Sequence, residues 1–133
     1  MSVINEVVEA VITMANATNP FCNVVRGAMP THQALICEVA PSQVDEVYLD
    51  KDSYVPLDLT LNGKHSNLKT LSDAMNQIHS ALTRTKNYPS DTNGKWQIVD
   101  ITNYVLPQII GREENNDWLM ASSLIVKFYW DGD

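Results

Sequence analysis

Between Leu68 and Trp130 the spacing of apolar residues switches from a helical to a strand period. From Leu68 they recur at Leu71, Ala74, Met75, Ile78, Ala81 and Leu82, a spacing that gathers them on one face of a helix. From Leu124 the period is two. Leu124, Val126, Phe128 and Trp130 alternate with Ser123, Ile125, Lys127 and Tyr129, so the two sets project from opposite faces of a pleated strand. A second β-type segment covers Lys95 to Ile101. A helix followed by sheet strands is the signature of an α+β domain, and nothing in these segments carries chemistry.

The 133 residues are expected to form a single domain, 1–133, long enough to bury roughly two-thirds of the unfolded surface. Hydrophobic and charged fractions of 44% and 19% are those of a globular chain. The net charge of -7 opposes an electrostatic grip on nucleic acid or an anionic membrane.

Val3, Ile4, Val7, Val8, Val11, Ile12 and Met14 give the N-terminal segment an apolar stripe. Asn5, Glu6 and Glu9 interrupt it and no basic residue precedes it, so it reads as an amphipathic helix and not as a secretory signal. Ser2 is the expected N-cap, and Asn16, Asn19 and Pro20 are the stop signals. No run matches a membrane span. The expected compartment of synthesis is a cytoplasm, where Cys22 and Cys37 would stay reduced. Cys37, in the apolar run Ala34 to Ala40, reads as a buried small hydrophobe. Cys22, His32 and Cys37 match no compact zinc spacing, so neither metal nor cofactor is expected.

The middle of the chain predicts antiparallel strands. These are Ala34 to Ala40, then Val44 to Leu49 after a turn at Pro41, then a strand carrying Val55, Leu57, Leu59 and Leu61 on one face and ending at Asn62-Gly63. Pro56 removes one ladder donor, which places that strand at an edge or its opening residues outside the pairing. The stretch from Ile101 to Ser122 is too long for a simple hairpin loop. Its first half, Tyr104 to Ile110, is expected to pack as a turn or short helix, and its second half, Gly111 to Asp117, to form a charged tip. The predicted architecture is α+β, with a mixed, mainly antiparallel sheet of about five strands and two main helices on one face.

Each catalytic candidate has a structural alternative. His79 is expected to border the core or solvent, and Gly63-Lys64-His65 lacks the glycine-rich cradle of a phosphate loop. Asp50, Asp52 and Tyr54 open like a calcium loop, but Val55 and Leu61 occupy the positions of its glycine and closing carboxylate. Glu113, Glu114 and Asp117 form the densest acidic cluster. It reads as a solvated face or a protein contact, with Trp118 as an anchor or a core seal. No nucleophile motif or nucleotide fingerprint is present, and the chain is not expected to be an enzyme.

The phrases Ala34-Leu-Ile-Cys-Glu-Val, Val55-Pro-Leu-Asp-Leu-Thr-Leu-Asn-Gly-Lys64, Trp96-Gln-Ile-Val-Asp-Ile101 and Ser122-Ser-Leu-Ile-Val-Lys-Phe-Tyr-Trp130, in this order, resemble the minor capsid or tail terminator proteins of long-tailed bacteriophages, particularly those of Gram-positive hosts. The resemblance spans nearly the whole chain and implies a virion protein that forms a ring, commonly a hexamer, at the head-proximal end of the tail. Such a ring stops tail-tube polymerisation and meets the head connector or stopper protein, while DNA passes through without specific binding. Expected contacts are the strand edge at Val55, Pro56 and Asp58 and the loop residues Arg112, Glu113, Glu114, Asp117 and Trp118. The alternatives are another neck or head-completion protein, or a small cytosolic enzyme or ligand-binding domain using His32, Cys37 or His79.

Overall fold

A computed structural model describes residues 3–30, 32–40 and 53–130. The strand expected at Val44 to Leu49, the Ser2 cap, the Pro41 turn, and Asp50 and Asp52 of the calcium-like run lie outside the described residues. Helix α1 (Val3–Asn16) precedes strands β1 (Val24–Val25), β2 (Ala34–Val39) and β3 (Ser53–His65). Helix α2 (Leu68–Thr83) and strands β4 (Trp96–Arg112) and β5 (Trp118–Trp130) follow. The sheet order is β1-β2-β3-β5-β4. Pairing is antiparallel throughout except for β1 with β2. The chain is α+β with a mixed, mostly antiparallel sheet.

The helices form where the apolar spacing puts them, and polar side chains end them. In α1 the buried face is Ile4, Val7, Val8, Val11, Ile12 and Ala15. Asn16 then turns its amide outward from the helix. Its Oδ1 accepts from the Val24 amide at 2.7 Å and its Nδ2 donates to the Val24 carbonyl at 3.2 Å, so the residue that stops α1 also holds β1. In α2 the Asn67 side chain accepts from Thr70 N at 3.0 Å, satisfying one of the free first-turn amides.

The odd-numbered face of β3 and the even-numbered face of β5 meet in opposed pairs, Val55 with Phe128, Leu57 with Val126 and Leu59 with Leu124, all buried. Side chains from both helices join them in one apolar cluster. Gly63 belongs to this face, and α2 approaches it so closely that any larger residue would push the buried Leu71 and Met75 side chains aside. A Cβ at that position would lie 2.6 Å from Leu71 Cδ1 and 2.9 Å from Met75 Sδ, closer than atoms tolerate.

Three expectations are corrected. Asn62-Gly63 does not end β3, which continues to His65. Strand β3 is not an edge, since β2 and β5 flank it. Nor do its opening residues lie outside the pairing, since Pro56 stands opposite Lys127 of β5. The proline is tolerated because it lies beyond the segment of β3, Leu59 to Lys64, that pairs with β2 among the described residues. Finally, Tyr104 to Ile110 is neither a turn nor a helix. It is the distal half of β4, a strand that runs unbroken through the region expected to interrupt it.

Candidate assembly surface

The edge that matters is β4. Among the described residues β5 is the only strand beside it. On its other side an isolated bridge from Ser90 to Gln97 and the bond from Ile98 N to the Pro89 carbonyl occupy its start, and among the described residues its distal half has no strand on that side. Its 17 residues face the 13 of β5 through four register shifts, and the surplus residues are informative. Val99, Tyr104, Leu106, Pro107 and Ile110 have no partner in β5. Apart from Pro107 these are large apolar side chains, and each is exposed, with Tyr104, Leu106 and Ile110 at 65%, 61% and 59%. Ile109 adds a further 51%. Bulges leave extra residues unpaired and twist the strand. Here they turn a run of Tyr, Val, Leu and Ile to the outside. Pro107 has no N–H to offer the ladder, as is common on an edge strand.

The turn that joins β4 to β5 is tightly built. Asn116 N donates to the Glu113 carbonyl at 2.9 Å and Glu113 N to the Asp117 carbonyl at 2.8 Å. Asn116 takes a positive φ of 72°, the left-handed position that closes this hairpin type and that asparagine tolerates. Arg112 lies 4.6 Å over the Trp118 ring and covers half-buried Trp118 from outside.

The acidic residues of this turn are not equivalent. Glu113 receives the Lys64 ammonium at 2.7 Å. Lys64 also donates to the Pro30 carbonyl at 2.9 Å, and its side chain is only 5% exposed. Asp117 is buried as well, its Oδ2 without a hydrogen bond and 3.9 Å from His32 Nδ1. Only Glu114 of the three stands exposed. The expected contact residues thus separate. Pro56, Arg112 and Glu114 are exposed, Asp58, Glu113 and Trp118 are half-buried, and Val55 and Asp117 are buried, so the last two do not offer side chains to a partner in this arrangement.

His79 does not border solvent. It is 2% exposed and joins three elements, with Nδ1 2.8 Å from Asn103 Oδ1 on β4 and Nε2 2.7 Å from Ser122 Oγ on β5. Ser122 donates to the Leu61 carbonyl at 2.9 Å, so its oxygen is left to accept from Nε2–H. The protonated ring donates to Asn103 Oδ1, whereas the neutral ring needs the NH2 end of that amide turned toward Nδ1. Burial lowers the imidazole below its ordinary value. A serine beside a histidine suggests nucleophilic chemistry, but this hydroxyl is 4% exposed and committed to the backbone. Cys37 is a poor nucleophile too, since burial pushes its thiol up to about 12. Cys22 is also raised by burial. Among the described residues no three His, Cys, Asp or Glu side chains converge as metal ligands, and no helix is long and apolar enough to cross a membrane.

Sequence reasoning missed the exposed run Tyr104 to Ile110 and the polar triad of His79, Asn103 and Ser122. The first had a signal, a proline in an otherwise strand-forming apolar run. The triad had none, since it joins residues 24 and 43 positions from His79. No protein-family model and no curated protein sequence matches the chain.

Proposed function

We propose that this protein is a structural virion subunit that assembles into a ring at the head-proximal end of a phage tail, ends tail-tube polymerisation and joins tail to head. The observation that carries the assembly reading is the distal half of β4. It is an edge strand whose surplus residues turn apolar side chains outward. A monomer gains nothing from such a surface, whereas a partner that covers it gains the hydrophobic term. The phage assignment rests on the resemblance of the four sequence phrases. The ring number expected from it is six, with the tail-tube protein on one face and the head connector or stopper on the other.

The charge supports a passage role. A ring of subunits each carrying -7 would repel the phosphate backbone if part of that charge lined the lumen, and DNA would slide through without adhering. Electron microscopy of the purified protein, alone at rising concentration and mixed with the adjoining tail-tube protein, tests the reading. Closed rings and tubes capped at limited length are the expected result. A protein that neither binds nor caps tubes but joins the head connector would be a head-completion protein.

A further inference from the structure

Resting on the assembly reading, we infer that the distal segment of β4 seats in an apolar groove on a second copy of the same chain. That groove runs along the C-terminal half of α1, with the end of α2 on one side and residues 87–90 and Trp96 on the other. Two adjoining recesses of about 290 and 530 Å³ share Met14 and Ala17 in their lining. Leu82 closes one, and Tyr88, Pro89 and Trp96 close the other. One surface is therefore a projecting apolar ridge and the other an apolar recess.

Charge does not oppose a second copy as the occupant, because neither surface carries any. Two chains that each carry -7 repel wherever their charged faces meet, so self-association favours surfaces without charge. The residues lining both recesses are all uncharged, and so is the run Tyr104 to Ile110. Area agrees. The exposed apolar side chains of that run present on the order of 500 Å², at the upper end of what a monomer leaves uncovered. That is more than half of the roughly 800 Å² each partner contributes to a standard interface.

The contact is between chains by necessity. Trp96 lines the groove and starts β4. Counted along the β5 residues opposite, from Trp130 facing Trp96 to Met120 facing Ile109, at roughly 3.3 Å per residue, Tyr104 lies about 20 Å along the strand and Ile110 about 35 Å. One chain cannot seat its own ridge in its own groove. Backbone pairing between two β4 edges fits less well, because four register shifts and Pro107 spoil a straight row of donors and acceptors. A ridge and a groove far apart on one subunit make a heterologous contact, the kind that repeats around a ring.

Two sets of variants test this. Leu106→Arg with Ile110→Arg charges the ridge, and Thr13→Arg with Ala17→Arg fills the groove from exposed positions. Sedimentation is measured for each variant and for their equimolar mixture, at concentrations where the unsubstituted chain self-associates. Each variant alone should be monomeric, and the mixture should yield one-to-one dimers that grow no further, since each supplies the surface the other lacks. Groove variants that assemble like the unsubstituted chain overturn the inference, as does a mixture that stays monomeric. An unsubstituted chain that remains monomeric at about millimolar concentration, by sedimentation and chemical crosslinking, also overturns it. The ring reading fails separately. Ridge-and-groove association that closes as a dimer and ignores tail tubes would keep this contact and end that reading, whereas tube-capping rings formed by groove variants would do the reverse.

Discussion

The two halves of β4 share a strand and differ in everything else. From Trp96 to Ile101 its inward residues Trp96, Ile98 and Ile101 are buried and belong to the central cluster. From Tyr104 to Ile110 comparably apolar residues stand in solvent. Hydrophobicity alone does not decide burial. The difference lies in what covers the strand. The proximal half takes part in the core built with the helices, and the distal half continues beside β5 with three of its four register shifts between Asn103 and Gly111. The proximal half stabilises the monomer, and the distal half presents apolar surface at no local gain.

The sharpest way to break this comparison is to damage the core alone. Phe128 pairs with Ile98 of β4 on one side and Val55 of β3 on the other, and is fully buried. Phe128→Ala removes its transfer free energy and leaves a cavity, at a cost of about 3–5 kcal/mol. Against a total of roughly 5–15 kcal/mol for a domain of this kind, the loss should appear as a large drop in the denaturant midpoint. An unchanged midpoint would remove Phe128 from the core.

His79 marks the boundary between the two halves, because its partner Asn103 sits where the register first slips toward the distal segment. Its buried ring has a lowered pKa in the folded state. Below about pH 6.5, the ordinary histidine value, the unfolded chain binds more protons than the folded one, so stability falls as pH falls. The loss continues until pH reaches the lowered folded value, below which both states are protonated. His79→Gln removes this titration. The stability advantage of the unsubstituted chain over the variant should therefore shrink from about pH 8 to pH 5, measured by urea unfolding. A difference that does not change with pH would sink the view that the folded state holds a neutral ring.

The legible part of the fold was the part in which one local pattern decides one local structure. The spacing from Leu71 to Leu82 placed α2, and the alternation from Leu124 to Phe128 placed the buried face of β5. Strand order was not legible, because Pro56 and Pro107 carry the same local signal and only the pairing tells which strand has a free flank. The run Tyr104 to Ile110 misled for a physical reason. Apolar content argues for burial within a chain, yet the same content on an uncovered edge argues for burial between chains. The acidic turn was legible in position but not in state, since the ion pair of Glu113 with Lys64 joins residues far apart in sequence.

The smallest effect on stability is expected where the largest effect on assembly lies. Leu106 has no partner in β5 and is 61% exposed, so Leu106→Ser removes little buried surface within the monomer. Substitutions at such sites usually change stability by less than about 0.5 kcal/mol, and the urea midpoint should stay at its unsubstituted value. A drop of several kcal/mol would mean that the distal segment already packs within its own chain. Its apolar side chains would then be monomer core, and the contrast between the two halves of β4 would vanish. An unchanged midpoint with weakened self-association would place the value of those side chains wholly between subunits, which is where their exposure in the single chain assigns it.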